Sequence, residues 1–197
     1  MLEAKQTRSL GRLFSADLGI DLGTENARVT SRRSGEVFSA PAVVARHRRT
    51  HEIWAVGQNA ADLCARMPEA IAEVRPLRDG AIADYEAATV LLRALILHAR
   101  NRLALRRPRL VLSVSSELTQ VERRALVSAA RSAGAREVYL LAAPMAAALG
   151  ADVPAAERGG KLVVDIGAGT TEIAVVTLSG VVHAHGARGS TRPCACG

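Results

Sequence analysis

Residues suited to phosphate chemistry stand in two short stretches far apart in the chain. In Lys161 to Leu178, KLVVDIGAGTTEIAVVTL, two β-branched apolar runs flank Gly167, Ala168, Gly169, Thr170 and Thr171. The pattern predicts a buried strand, a glycine turn and a returning strand. Glycines let backbone N–H groups approach a ligand, threonine hydroxyls add donors, and a carboxylate at a strand end, here Asp165, suits a hydrated metal ion. That combination fits a polyphosphate carried with Mg²⁺. An ordinary hairpin whose aspartate caps the turn uses the same residue types, so one copy does not decide between them.

A second copy lies near the other end, in Asp17 to Val29, DLGIDLGTENARV. There Asp21-Leu22-Gly23-Thr24, followed by Glu25 and Asn26, echoes Asp165-Ile166-Gly167-Ala168. An internal repeat of this kind predicts two similar halves that face each other and hold one phosphate chain from both sides. Neither copy is a Walker loop or a G-x-G-x-x-G fingerprint. Glu122 is a third candidate. In Thr119-Gln120-Val121-Glu122 it has the capping-box spacing, in which it folds back onto the N-cap amide. It also sits at a helix start just after a strand, where a carboxylate can orient water against a terminal phosphate.

These residues need strands and helices to position them, and the rest of the chain supplies the signals. Val37 to Arg46 and Ile53 to Val56 read as strands, with a helix from Gly57 to Arg66 stopped by Pro68. Val74 to Gly80 reads as loop, and Asp84 as the N-cap of a long helix to about Leu105. Leu110 to Val114 is a strand, Thr119 to Ala133 a helix, Val138 to Leu141 a strand, and Pro144 to Leu149 a short alanine-rich helix. With 197 residues, 49% of them apolar, the chain can bury a core, and it has no apolar stretch long enough to span a bilayer.

The net charge of +7 comes mainly from arginine, in clusters such as Arg46-His47-Arg48-Arg49 and Arg106-Arg107-Pro108-Arg109. With aromatics at only 3%, neither cluster has the stacking residues of a nucleic-acid reader, so no nucleic-acid partner is expected. Cys64, Cys194 and Cys196 do not make a disulfide framework and fit a reducing compartment. The terminal Cys-x-Cys lacks the second pair of a zinc site. Met1 to Phe14 interleaves Lys5, Arg8 and Arg12 with Leu2, Leu10, Leu13 and Phe14, which allows either weak binding to an anionic membrane surface or a loose tail. It has no continuous apolar region for secretion, so a cytoplasmic location is expected.

DLGIDLGTEN, VRPLRDGAIADY, TQVERRALVSAARSAGAREVYLL, PMAAALGA and VVDIGAGTTEIAVVTLSGVV, in this order, closely resemble the MreB family of bacterial rod-shape-determining, actin-like ATPases. The resemblance runs from about Leu13 to about Val182. It implies an α/β, actin-like (ribonuclease H-like) fold, with ATP and Mg²⁺ held between two halves. It also implies filaments at the inner face of the cytoplasmic membrane that work with the cell-wall elongation machinery. Under it, residues 17–144 are a first subdomain with a small insert at about 37–75, and residues 145–182 begin a second. Asp21, Gly23, Thr24, Glu25 and Asn26 form the first phosphate loop, and Asp165, Gly167, Ala168, Gly169, Thr170 and Thr171 the second. Glu122 positions the attacking water, and Asp21 and Asp165 act through Mg²⁺ and its waters.

This chain departs from the family pattern at Glu25, where alanine is usual, at Ala168, where glycine is usual, and at Ala142 and Ala143, where two glutamates are usual. The family also continues through a second half, so the resemblance implies a truncated product with an exposed apolar surface. His183 to Gly197, HAHGARGSTRPCACG, has no apolar period and is expected to be a disordered tail or the readout of a shifted frame. Three functions stay open: an MreB-type ATPase that forms filaments, another ATP-using protein of the same fold, and a half-domain that binds partners or filament ends without turnover.

Overall fold

The computed structural model describes residues 17–31, 35, 37–99, 107–153, 159–177 and 180–189. In chain order the elements are Asp17–Leu22 (β1), Asn26–Ser31 (β2), Val37–Pro41 (β3), Val44–His47 (β4), Ile53–Val56 (β5), Gln58–Arg66 (α1), Ile71–Val74 (β6), Leu77–Arg78 (β7) and Ala81–Ile82 (β8). They continue with Tyr85–Ala99 (α2), Arg109–Val114 (β9), Gln120–Ser132 (α3), Glu137–Ala142 (β10), Ala143–Gly150 (α4), Lys161–Ile166 (β11), Thr170–Thr177 (β12) and Gly180–Arg188 (β13). Met1 to Phe14 lies outside the described residues.

The first sheet has the order β10-β9-β1-β2-β3. β1 pairs in parallel with β9, and β9 with β10, while the β1–β2 hairpin is antiparallel. Alternation decides which face is covered: Leu18, Ile20 and Leu22 of β1 and Leu110, Leu112 and Val114 of β9 are buried. They pack with Leu91, Leu92 and Leu95 of α2 and Leu126, Ala129 and Ala130 of α3. Each such leucine removed from water contributes roughly 1.5–3 kcal/mol. This core fixes the strand ends of β1 and β9, where the first glycine turn and the start of α3 lie.

The expected single strand from Val37 to Arg46 is two strands in two sheets. Pro41 ends β3 on the edge of the first sheet, where its missing N–H costs no ladder bond. The chain then crosses through buried Ala42 and Val43, and Val44 starts the sheet β5-β4-β6. That sheet and α1 have their own core of Val43, Ala45, Ala60 and Ile71. The stretch read as loop from Val74 to Gly80 holds β7, which pairs with β8 just beyond it.

Arg46 of β4 joins this smaller layer to α2. Its guanidinium donates to both oxygens of Asp84, at 2.6 and 3.1 Å, and Asp84 Oδ1 accepts the Ala87 N–H at 2.9 Å as the expected N-cap. Asp84→Ala removes the cap and strands a partly buried arginine, so we expect a loss of about 2 kcal/mol in urea unfolding. Asp84→Asn keeps the cap and is expected to recover about half of it.

β11, β12 and β13 form a separate antiparallel sheet. Its inner face, with Ala174 and Val176, packs against Ala148 and Met145 of α4. The other face leaves Leu162, Val164, Ile166 and Ile173 between 46% and 71% exposed.

The expectation of a disordered tail from His183 is corrected in part. Residues 183–188 belong to β13, and Ala184 packs on the Ala174 cluster. The strand is held by main-chain pairing with β12, from Thr177↔Gly180 to Thr170↔Arg188, which needs no apolar period. Residues 190–197 lie outside the described residues.

Candidate functional site

The two glycine turns share one geometry. Gly23 N–H donates to the Asn26 carbonyl at 3.1 Å, and Gly167 N–H donates to the Thr170 carbonyl at 2.8 Å. A Cβ at Gly23 would stand 2.8 Å from Asn26 O, and one at Gly167 3.2 Å from Thr170 O. At Gly23 only glycine leaves room for so tight a return, and at Gly167 a side chain would press the carbonyl aside by a few tenths of an ångström. The turns also meet: a Cβ on Gly169 would collide with Thr24 Oγ1 and lie 3.2 Å from Thr24 Cβ.

Between them is a cleft of about 390 Å³ lined by Asp21, Leu22, Gly23, Thr24, Glu25 and Asn26 from one side and by Asp165, Ile166, Gly167, Ala168, Gly169 and Thr170 from the other. Arg28, Ser113, Ser115 and Glu172 add polar side chains to its lining. Its volume is within the range of small-ligand sites. A hollow of about 430 Å³ lies farther along the first sheet, lined in part by Asp17, Arg109, Val111 and Tyr139. There Arg109 and Asp17 satisfy each other at 2.7 and 2.8 Å, so we place the chemistry in the cleft.

The repeat differs in charge. In the first hairpin Asp21 stands opposite Arg28, whose Nη1 lies 3.5 Å from Asp21 Oδ2. In the second, Asp165 stands opposite Glu172. Glu172 is 2% exposed, and its Oε2 accepts the Ser116 N–H at 3.1 Å. Burial, then Glu172 and Asp21, push the Asp165 carboxyl above the usual range. Burying Asp165 ionised therefore costs stability at neutral pH, and a cation between these carboxylates would recover it. The glycine turns, the polar lining and this excess of negative charge fit a polyphosphate with a divalent cation.

The sequence singled out neither Glu172 nor Arg28. Both lie seven residues after the aspartate of their copy, and a hairpin register drawn through the glycine turn puts each opposite that aspartate.

Glu25 does not aim bare charge at the cleft. Its Oε2 lies 3.4 Å from Arg75 Nη1, and the same guanidinium donates to the Thr24 carbonyl and to Glu73. Thr171, opposite Ile166 on β12, is not among the cleft-lining residues, because it alternates with Thr170 and Glu172.

Glu122 is not among them either. It closes the capping box: Oε2 accepts the Thr119 N–H at 2.7 Å and Thr119 Oγ1–H at 2.8 Å, and the Glu122 N–H donates to Thr119 Oγ1. Arg188 of β13 donates to both carboxylate oxygens, at 3.0 and 3.2 Å.

Arg188 and the Thr119 donors hold the Glu122 carboxyl down to about 2, from an ordinary 4.5. A depressed carboxyl contributes stability that is present above its unfolded value and is lost as pH falls through the folded one. The other charged groups near this pair are Glu117, Asp79 and Arg123, and Arg123 is occupied with the Leu118 and Ser116 carbonyls. We expect the urea midpoint to fall as pH drops from about 4.5 towards 2, and Arg188→Ala to flatten that part of the curve.

The model of the MreB/Mbl protein family matches residues 15–190. The chain belongs to the MreB/Mbl family. It is 44% identical over 181 residues to the cell shape-determining protein MreB of Escherichia coli (strain K12), covering 89% of this chain and 52% of that protein. The crystal structure of MreB5 of Spiroplasma citri bound to ADP superposes with a TM-score of 0.79 at 31% identity, over 88% of this chain and 52% of that one. The same protein is known bound to AMPPNP. The MamK double helical filament shares the fold, with a TM-score of 0.72 at 23% identity over 89% of this chain and 55% of that one. The fold is therefore actin-like, and the chain spans about half the length of the MreB proteins it matches. Among its described residues no helix is long and apolar enough to cross a membrane.

Proposed function

We propose that this chain is an MreB-type, actin-like ATP-binding protein that acts in cell-shape determination. The observation that carries the reading is the repeated glycine turn: two backbone cradles of the same form meet across a cleft with carboxylates on both sides. Gly23, Thr24 and Asn26 would hold the phosphates from one side, and Gly167, Gly169 and Thr170 from the other. Asp21 and Asp165 would hold Mg²⁺ through its waters, and the ion would offset the repulsion between Asp165 and Glu172. The metal would supply charge neutralisation on the phosphates, and the chain's own work is positioning and preorganised electrostatics. Family resemblance assigns Glu122 to the attacking water of ATP hydrolysis.

Filament formation, residence at the inner face of the cytoplasmic membrane and work with the cell-wall elongation machinery extend the same reading. The basic, leucine-containing segment Met1 to Phe14 supports the membrane part. Co-flotation of the chain with anionic vesicles, lost when residues 1–14 are deleted, would support it, and flotation unchanged by the deletion would contradict it. One observation favours a second reading, a nucleotide-binding half-domain that binds partners or filament ends without turnover: both oxygens of Glu122 are engaged away from the cleft.

A further inference from the structure

The end of β13 touches two parts of the site at once. Gly189 N–H donates to the carbonyl of Gly169, in the second glycine turn, at 3.2 Å. One residue earlier, Arg188 is paired with Thr170, the first residue after that turn. Its side chain then reaches the start of α3, where it donates to both oxygens of Glu122 and, through Nη2, to the Glu117 carbonyl at 2.8 Å. Glu117 returns a bond of its own, its Oε1 accepting the Gly186 N–H at 3.0 Å. Close contact reinforces this seam, since a Cβ on Gly186 would meet Glu117 Cγ at 2.6 Å.

We infer that Arg188 is a positioning residue that stores Glu122 away from the cleft, and that loading the second glycine turn releases it. With Thr119 N–H, Thr119 Oγ1 and Arg188 all on Oε2, and Arg188 again on Oε1, Oε2 is saturated and the carboxylate is held at the start of α3. A ligand drawn into the turn at Gly167 to Gly169 shifts the carbonyl that anchors Gly189, and Arg188 is the next residue. The capping box survives this release, so α3 keeps its N-terminus while Glu122 loses its strongest partner. The inference rests on the proposed nucleotide site and on Glu122 as the water-positioning residue.

The test is a ¹³C NMR titration of the glutamate carboxyl groups in the full 197-residue chain. Without nucleotide, Glu122 should titrate near 2. In Arg188→Gln the midpoint should rise by more than about one pH unit, towards the ordinary glutamate value. Arg188→Lys should fall between the two, an ordering that a merely structural role of the strand would not produce. In the unmodified chain, Mg-AMPPNP should move the Glu122 signal towards that of Arg188→Gln. This arm needs no variant to fold. Glycine-turn amides that shift with Mg-AMPPNP while the Glu122 signal stays put would overturn the release and leave the nucleotide site standing. Glycine-turn amides that do not shift at millimolar Mg-AMPPNP would overturn both.

Discussion

Gly169→Val is expected to abolish measurable nucleotide binding. The two glycine turns touch at this residue, and a branched side chain would be driven into Thr24, whose Cβ and Cγ2 already lie 3.2 and 3.3 Å from where a Cβ would stand. The turns must separate or twist, and a misplacement of about 1 Å in a phosphate cradle can cost on the order of 10²-fold. We expect Mg-AMPPNP affinity to fall about 100-fold in calorimetry, with a loss of roughly 1–3 kcal/mol in stability from overpacking. Gly169→Ala should show a smaller defect. Thr24→Ala, which removes the opposing hydroxyl and methyl, should partly restore it in the double variant. Independent effects of the two changes would mean that the turns do not meet in solution.

Asp165→Asn is expected to move stability and binding in opposite directions. The residue is pushed up by burial and by Glu172 and Asp21, so neutralising it relieves a cost carried by the free protein at neutral pH. Unfolding free energy should hold or rise, by about 1 kcal/mol or less. Mg-dependent nucleotide affinity should fall at least tenfold, about 1.4 kcal/mol. Such opposition is the signature of a site whose strain serves function. Asp21→Asn should show less gain in stability, because Asp21 faces Arg28 across its hairpin while Asp165 faces Glu172. A variant at Asp165 that lost stability while keeping Mg-dependent binding would place the cation elsewhere.

Much of this site is legible in the sequence because its parts are local. A glycine two residues after a strand-end aspartate, twice, specifies both turns, and the Asp-to-Gly spacing survives intact in the fold. The Thr119–Glu122 spacing specifies the capping box, and Asp84 the start of α2, for the same reason. What the residues did not disclose is set by register and by distant pairing. Glu172 sits in an apolar strand and, although the hairpin register sets it opposite Asp165, gives no local sign that it is buried. Arg188 lies 66 positions from Glu122 in a stretch without hydrophobic period, and backbone pairing to β12 brings it there. Pro41 separates two sheets, yet the flanking residues read as one strand because each half keeps strand composition. The departure at Glu25 is explained by Arg75, a partner from the β6–β7 connection some fifty residues on in the chain.

No aromatic side chain lines the cleft among the described residues, so the phosphates must supply most of the binding, and affinity in this chain should be weak, about 10⁻⁴ M. The central claim is that the phosphates lie between the two turns with a divalent cation. The most direct measurement is amide NMR of the 197-residue chain titrated with AMPPNP, with and without Mg²⁺. The largest shifts are expected at Gly23, Thr24, Gly167 and Gly169, dependent on Mg²⁺ and lost in Asp165→Asn. Shifts confined to the hollow beside Gly19 and Tyr139, or shifts at the turns that are indifferent to Mg²⁺, would contradict it.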